Sequence, residues 1–392
     1  MRITEVEPIL LRGDQSYGTS AGAEEATDNG DWQLLVRVAT DEGLVGWADV
    51  ETLAPAAAAI IAGRGMAALG FKTLSELLIG EDPLDIERLW EKLYVGSAYY
   101  GRRGIAMHCI SAIDNCLWSI RAEAGGVSLA RLLGERRHDR VLAYASTLFR
   151  SSPEGVAAAA RGYVERGYRA VKFGWGVFGE DAARDRELVA AAREALGPDR
   201  VLLIDPGWYP AGWTKPGRMR TTREAIELCA WLSEFNVGWV EDFIHPERFD
   251  EYSQVRRSSP VPIAAGEQIQ TIWDFSRFIG EGCVDVIQPD LSRCGGVSVG
   301  RQVAALAVKS GIDLVPHSWL TDLLTGYSLQ LIATLPRPRF VEFNVSQSVL
   351  TKNIAHGPFQ LAEDGTINIP DTPGIGVTID PEFIAAHRFD RP

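Results

Sequence analysis

The sequence predicts an α/β protein, a TIM-like (β/α)7β barrel that carries an α+β capping domain at its N-terminus and a C-terminal tail that completes the cap. Three observations predict it. From about residue 141 the chain repeats a short β-branched run followed by an amphipathic helix, eight runs in all, and eight is the number of strands that closes a barrel. A doubly wound sheet would have fewer strands and a glycine-rich phosphate turn after the first, and none follows Leu148. Before residue 134 the order differs, with strands first and helices after.

A chain of 392 residues is too long for one small core, so two domains are expected. Ile3 to Leu11 and Trp32 to Thr40 alternate apolar with polar residues, and Asp41-Glu42-Gly43 is a turn into Val45-Gly46-Trp47, which together read as an antiparallel meander. The polar stretch Gly13 to Asp31 between its first two strands is too long for a tight hairpin, and loops of that length are functional or disordered. Residues 55 to 133 are helical in pattern, with Pro83 at a helix start and apolar residues at helical spacing from Ile105 to Glu123. The cap is therefore 1–133 and the barrel 134–349. The barrel runs are Val141 to Leu148, Arg169 to Phe173, Val201 to Asp205, Gly238 to Glu241, Ile263 to Glu267, Val284 to Asp290, Leu314 to His317 and Phe340 to Phe343. From residue 350 to 392 the sequence is turn-rich again, and this tail is expected to pack back on the cap.

Composition removes several function classes. No run of about 18 uncharged apolar residues is present, and Met1-Arg2-Ile3-Thr4-Glu5 lacks the basic-then-apolar order of a signal peptide, so a soluble cytoplasmic protein is expected. The five cysteines are an odd number without a CxxC pair and sit mostly in apolar stretches, which speaks against disulfides. A net charge of -13 without a Lys/Arg cluster argues against nucleic acid as a partner. An acidic protein with an anionic substrate needs local positive charge, and a bound divalent cation would supply it.

A barrel of this kind places its active site at the C-terminal ends of the strands, where this sequence has Lys172, Asp205, Glu241, Glu267, Asp290, His317 and Glu342. One acidic residue at a strand end can be a salt bridge or a helix cap. Asp205, Glu241 and Glu267 end three consecutive strands, so closing the barrel brings three mutually repelling carboxylates around one point. A hard, oxygen-seeking cation such as Mg²⁺ relieves that repulsion and keeps positions open for substrate oxygens. His317 and Asp290 end neighbouring strands; a carboxylate on one ring nitrogen raises the basicity of the other, which makes His317 a general acid or base rather than a merely structural histidine.

Ligand carboxylates on strands three, four and five, with a His-Asp dyad on strands seven and six, resemble the mandelate racemase subgroup of the enolase superfamily. Further segments resemble it too: Ala112-Ile113-Asp114-Asn115-Cys116-Leu117-Trp118, Leu132-Leu133-Gly134, Trp239-Val240-Glu241, Ala265-Gly266-Glu267 and Gly295-Gly296. The resemblance covers nearly the whole chain. It implies that Asp205, Glu241 and Glu267 bind Mg²⁺, that Asp290 and His317 form the catalytic dyad, that Glu342 hydrogen-bonds the substrate carboxylate as enolate charge builds, and that the chain forms dimers or octamers.

The departures from the subgroup bear on the reaction. Relatives often carry Lys-x-Lys at the end of strand two, the second lysine being the base opposite the histidine; here the segment is Lys172-Phe173-Gly174. Lys172 starts one layer deeper, roughly 6 to 7 Å from the mouth, from where it either reaches the substrate carboxylate or forms a structural ion pair with the ligands. Gly207 stands where Asn is frequent, and Asp242-Phe243 where Glu-Pro is common. Trp208 to Arg220, with Trp213, Lys215, Arg218 and Arg220, is an extra loop that either contacts a polar substrate or is an exposed insertion. Tyr99 to Gly104 and the Gly13 to Asp31 loop belong to the cap, and their Tyr, Arg and Asp residues either read the substrate or have an ordinary surface role. Racemisation needs a base on each face of the α-carbon, and one is evident. The expectation is therefore Mg²⁺-dependent α-proton abstraction from a sugar-acid carboxylate with dehydration to a 2-keto-3-deoxy acid. Epimerisation, cycloisomerisation and a catalytically silent protein are the alternatives.

Overall fold

The computed structural model describes residues 1–13, 32–66, 69–209, 218–346 and 348–389. Most of the predicted Gly13 to Asp31 loop, and Trp213 and Lys215, lie outside the described residues. The cap opens with an antiparallel meander of β1 (Ile3–Arg12), β2 (Trp32–Thr40) and β3 (Val45–Val50) in the order β1-β2-β3. Its helices are α1 (Ala54–Ala62), α2 (Leu74–Leu78), α3 (Ile86–Gly96), α4 (Ile105–Ala124) and α5 (Leu129–Leu133). The long helix α4 is buried over nearly all of its length because it is sandwiched between the meander and the barrel.

Eight strands then alternate with helices: β4 (Arg140–Leu148), α6 (Pro153–Glu165), β5 (Ala170–Gly174), α7 (Ala182–Leu196), β6 (Val201–Asp205), α8 (Thr222–Leu232), β7 (Val237–Glu241), α9 (Phe249–Ser258), β8 (Ile263–Ala265), α10 (Thr271–Gly280), β9 (Val286–Ile287), α11 (Gly296–Ser310), β10 (Asp313–Leu314), α12 (Asp322–Ile332) and β11 (Val341–Asn344). The parallel ladder runs β10-β9-β8-β7-β6-β5-β4-β11. Among the described residues no ladder joins β10 to β11, and side chains bridge that gap. Glu342 accepts from the Ser318 amide at 2.7 Å, and Asn344 Nδ2 donates to the Trp319 and Leu320 carbonyls at 3.1 and 3.2 Å.

Each of the eight strand regions sends one residue into a single apolar plug: Tyr144, Ala170, Leu203, Trp239, Ala264, Val286, Val315 and Phe340. Alanines face the bulky rings, which keeps the layer filled. Because side chains alternate along a strand, the residue two positions on from the plug again points inward, one layer nearer the mouth. Lys172, Asp205, Glu241, His317 and Glu342 each stand two residues beyond a plug residue, so the same alternation that packs the core sets the polar layer above it.

The cap docks through two of the segments singled out in the sequence. Asp114 and Asn115 on α4 accept from the Ser298 and Val297 amides at 2.8 and 2.9 Å, satisfying the free N–H groups that open α11. Gly296 is at φ 77°, and a Cβ there would come within 2.4 Å of Asp114, so only glycine permits this approach. The tail holds α13 (Val349–Asn353), β12 (Ala355–His356), β13 (Thr366–Asn368), β14 (Thr378–Ile379) and α14 (Pro381–His387). Phe389 donates its amide to Leu10 of the cap at 2.8 Å, and Gly374 brackets the Val127 to Leu129 turn. β13 also pairs antiparallel with Arg140 to Leu142 of β4, so the tail clamps the barrel as well as the cap.

Candidate active site

His317 is placed by an interrupted ladder. Pro289 and Pro316 have no N–H to give, and regular pairing of β9 with β10 stops before them, shorter than the runs read from the sequence. One further bridge forms beyond, Asp290 with His317. The His317 amide donates to the Pro289 carbonyl at 3.2 Å, and its Nδ1 lies 2.6 Å from Asp290 Oδ2. Asp290 is itself fixed, its Oδ1 accepting from both the amide and hydroxyl of Ser292 at 2.6 Å. Nε2 of His317 faces Glu267 at 3.0 Å and Glu342 at 4.0 Å. Burial lowers the His317 pKa, but Glu267, Glu342 and Asp290 outweigh it and raise it well above the ordinary histidine value.

The three predicted ligands are buried, each beside a cation. Glu241 accepts from Lys172 Nζ at 2.6 Å and from the plug residue Trp239 Nε1 at 2.9 Å. Asp205 lies 3.6 Å from the same ammonium and accepts from the Gly207 amide at 3.0 Å. Glu267 pairs with Arg293 at 3.1 Å as well as with His317. Burial pushes the Asp205 carboxyl up, Glu241 and Glu267 add to that push, and the result stands well above the ordinary range despite Lys172. Burial raises Glu267 too, but His317 and Arg293 hold it well below. Lys172 also meets Glu342 Oε1 at 2.8 Å, next to the Ser146 hydroxyl that donates to the same oxygen at 2.7 Å. Strand register pairs Lys172 with Leu203 and Gly174 with Asp205, so the lysine does start one layer down and climbs. Of its two sequence readings, the ion pair with the carboxylates is the one this geometry displays.

These residues fit a hard cation. The donors are carboxylate oxygens, Asp205 is short of positive charge, and Asp242 Oδ2 and both amide atoms of Gln288 are buried with no hydrogen-bond partner among the described residues. Among the described residues, Glu51, Asp290 and His317 also bring ligating atoms within 4.8 Å of one another.

The opposite wall explains a departure noted in the sequence. A Cβ on Gly174 would lie 2.8 Å from the Asp205 Cβ, so the position that would carry a second lysine is filled by the first ligand. Trp175 follows at φ 46° and its ring covers Gly207, where a Cβ would come within 2.7 Å of it. Indole and glycine thus complement each other on the face opposite His317.

The cap segment Tyr99 to Gly104 and the end of the Trp208 to Arg220 loop make structural contacts. Tyr100 donates to the Lys72 carbonyl at 2.8 Å, Tyr99 is exposed, and Arg103 pairs with Asp274 at 2.5 Å, fastening the cap to α10. Arg218 pairs with Glu224, while Arg220 donates to the Gly207 and Phe243 carbonyls at 2.6 and 3.2 Å and braces the turns that follow Asp205 and Glu241. Sequence reasoning missed Glu51, His108 and Arg293. Glu51 ends an apolar strand just as the barrel carboxylates do, but that strand belongs to the cap, and nothing local says it faces the barrel.

A family model described as "Enolase C-terminal domain-like" matches residues 155–383, and one described as "Mandelate racemase / muconate lactonizing enzyme, N-terminal domain" matches residues 26–134. The chain is 34% identical to the D-galactarolactone cycloisomerase of Agrobacterium fabrum, over 92% of each chain. It is 29% identical to the D-gluconate dehydratase of Thermoproteus tenax, over 99% of this chain and 74% of that one. The crystal structure of the 3,6-anhydro-D-galactonate cycloisomerase from Zobellia galactanivorans superimposes over 100% of both chains with a TM-score of 0.84 at 27% identity.

Proposed function

The chain belongs to the mandelate racemase / muconate lactonizing enzyme family of the enolase superfamily, and from that premise we propose that it is a Mg²⁺-dependent lyase that dehydrates a sugar acid to a 2-keto-3-deoxy acid. One observation carries the reading. A positioned His-Asp dyad serves one face of the site, and the other face is closed by Asp205 against Gly174 and by Trp175 over Gly207.

Asp205, Glu241 and Glu267 are the residues that would hold the cation, with Asp242 and Gln288 in reserve beside them. Bound Mg²⁺ would supply the positive charge these carboxylates lack and offset the pull of Glu267 on His317, returning the imidazole toward a pKa at which it can accept a proton. His317 Nε2 then takes the C2 proton of the sugar acid, and the C2–H electron pair moves into the carboxylate as an enediolate. Collapse of that pair expels the C3 hydroxyl, which leaves as water with the proton returned by the same imidazolium. The resulting enol takes up a proton at C3 and releases the proton of its C2 hydroxyl to solvent, becoming the 2-keto-3-deoxy acid. Asp290 keeps the tautomer of His317, and Glu342, held by Lys172, Ser146 and Ser318, stands 4.0 Å from His317 Nε2. Both proton movements occur on one face, so no second base is required.

Cycloisomerisation of a lactone or anhydro sugar acid through the same enediolate is the second reading, favoured by the cycloisomerases among the similar proteins. Proton NMR in D₂O with a panel of mono- and di-acid sugars and Mg²⁺ separates them. Loss of the α-proton signal with growth of a 2-keto-3-deoxy product is expected; a new lactone or ring-opened isomer without dehydration would establish the second reading instead.

A further inference from the structure

The end of β3 brings a cap carboxylate to the dyad and holds it there. Asp49 accepts from Thr321 Oγ1 at 2.9 Å and from the Leu324 amide at 3.2 Å, which ties the strand to the segment just beyond His317. Two residues on, Glu51 Oε1 takes Arg293 Nη2 at 2.6 Å, and Arg293 continues to Glu267 at 3.1 Å and Asp290 at 3.7 Å. The other oxygen, Glu51 Oε2, is buried with no hydrogen-bond partner among the described residues. His108, on α4, lies beside the main chain of Glu51, and its Nδ1 is buried with no hydrogen-bond partner among the described residues. Burial, with Arg293 nearby, brings His108 down to about 4, so the ring is neutral at neutral pH. A neutral imidazole that donates through one nitrogen has a lone pair on the other.

Two acceptors therefore stand unfilled at the seam between cap and dyad, on a strand end pinned at Asp49 and Glu51. Buried polar atoms in folded proteins are almost always paired, and a carboxylate oxygen left open beside an acid-base pair is suited to an O–H donor brought by the substrate. We propose that Glu51 and His108 form a hydroxyl-reading subsite in which Glu51 Oε2 and His108 Nδ1 accept hydrogen bonds from substrate hydroxyls beyond the reacting carbons. Arg293 is the positioning residue that aims Glu51 and ties it to Glu267 and Asp290. This inference rests on the sugar-acid reading above and adds which cap atoms select among such acids.

The test compares wild type with Glu51→Gln and His108→Phe on the acid sugar that the panel identifies and on analogues deoxygenated at one carbon at a time beyond C3. Glu51→Gln keeps the shape and the oxygen that meets Arg293 but exchanges an acceptor for a donor. Wild type should lose about 10- to 100-fold in kcat/KM on one deoxy analogue, the discrimination expected when a buried polar group is left unpaired. Glu51→Gln should lose as much on the parent acid and lose little further on that analogue, while calorimetric Mg²⁺ affinity stays at the wild-type value. Equal losses on every compound, or weakened Mg²⁺ binding, would assign Glu51 to the fold or the metal and overturn the proposal. Wild type turning over every deoxy analogue as well as the parent would overturn it alone, whereas wild type inactive on all acid sugars would overturn the sugar-acid reading with it.

Discussion

Lys172 carries one positive charge among Asp205, Glu241 and Glu342 and is almost wholly buried with them. Removing one member of such a cluster leaves the others desolvated and unpaired, a loss of about 3–5 kcal/mol. Lys172→Met should therefore be destabilised by that order in chelator, measured by urea unfolding, and Mg²⁺ should restore more stability to it than it adds to wild type. Equal stabilisation of both would mean that the cation does not bind among these carboxylates. The sequence showed the lysine, its depth and its two possible roles, because strand alternation is local information. It could not decide between them, since the choice depends on which carboxylates stand across the barrel. Gly174 is similar: its presence was plain, but the collision a side chain would make with Asp205 is a property of the closed barrel.

At the scale of elements, strand ends do most of the positioning, and those of the barrel were legible from apolar runs that finish on an acid, a lysine or a histidine. The ladders are shorter than those runs where Pro289 and Pro316 remove donors, yet the residues beyond still meet through the Asp290–His317 bridge. The end of β3 was not legible, because its partners are α12 and Arg293, hundreds of residues away. That junction has a pH signature. Burial, only partly opposed by hydrogen bonds from Thr321 and Leu324, pushes the Asp49 carboxyl up from 3.8 to about 7. A raised folded pKa means the stability it contributes is complete below about pH 4 and is lost as the pH rises to about 7. Asp49→Asn cannot undergo that loss, so its unfolding free energy relative to wild type should improve between pH 4 and 7, by at most about 4 kcal/mol. A difference that stays constant across this range would show that Asp49 does not titrate there.

For the molecule as a whole, an α/β barrel fold preceded by an N-terminal unit of strands and helices was readable from a change in hydrophobic period. What period alone does not reveal is how the parts lock together. The tail was expected on the cap, and it reaches Leu10 there, but β13 also extends β4, so one segment fastens both. The docking of α4 on the first turn of α11 joins the cap to the barrel helix that follows Asp290 and Arg293. Cap residues such as Glu51 thereby come within reach of a chemistry that the barrel strands define. Among the described residues no helix is long and apolar enough to cross a membrane.

In the proposed reaction one imidazole, that of His317, moves the α-proton on one face. This role is tested most directly by incubating wild type and His317→Asn with Mg²⁺ and the acid sugar in D₂O and following the α-proton by NMR. Wild type should consume the α-proton signal, and His317→Asn, with Mg²⁺ affinity intact, should slow this by at least about 100-fold. A variant that still exchanges the α-proton at the wild-type rate would contradict that role and place the base elsewhere.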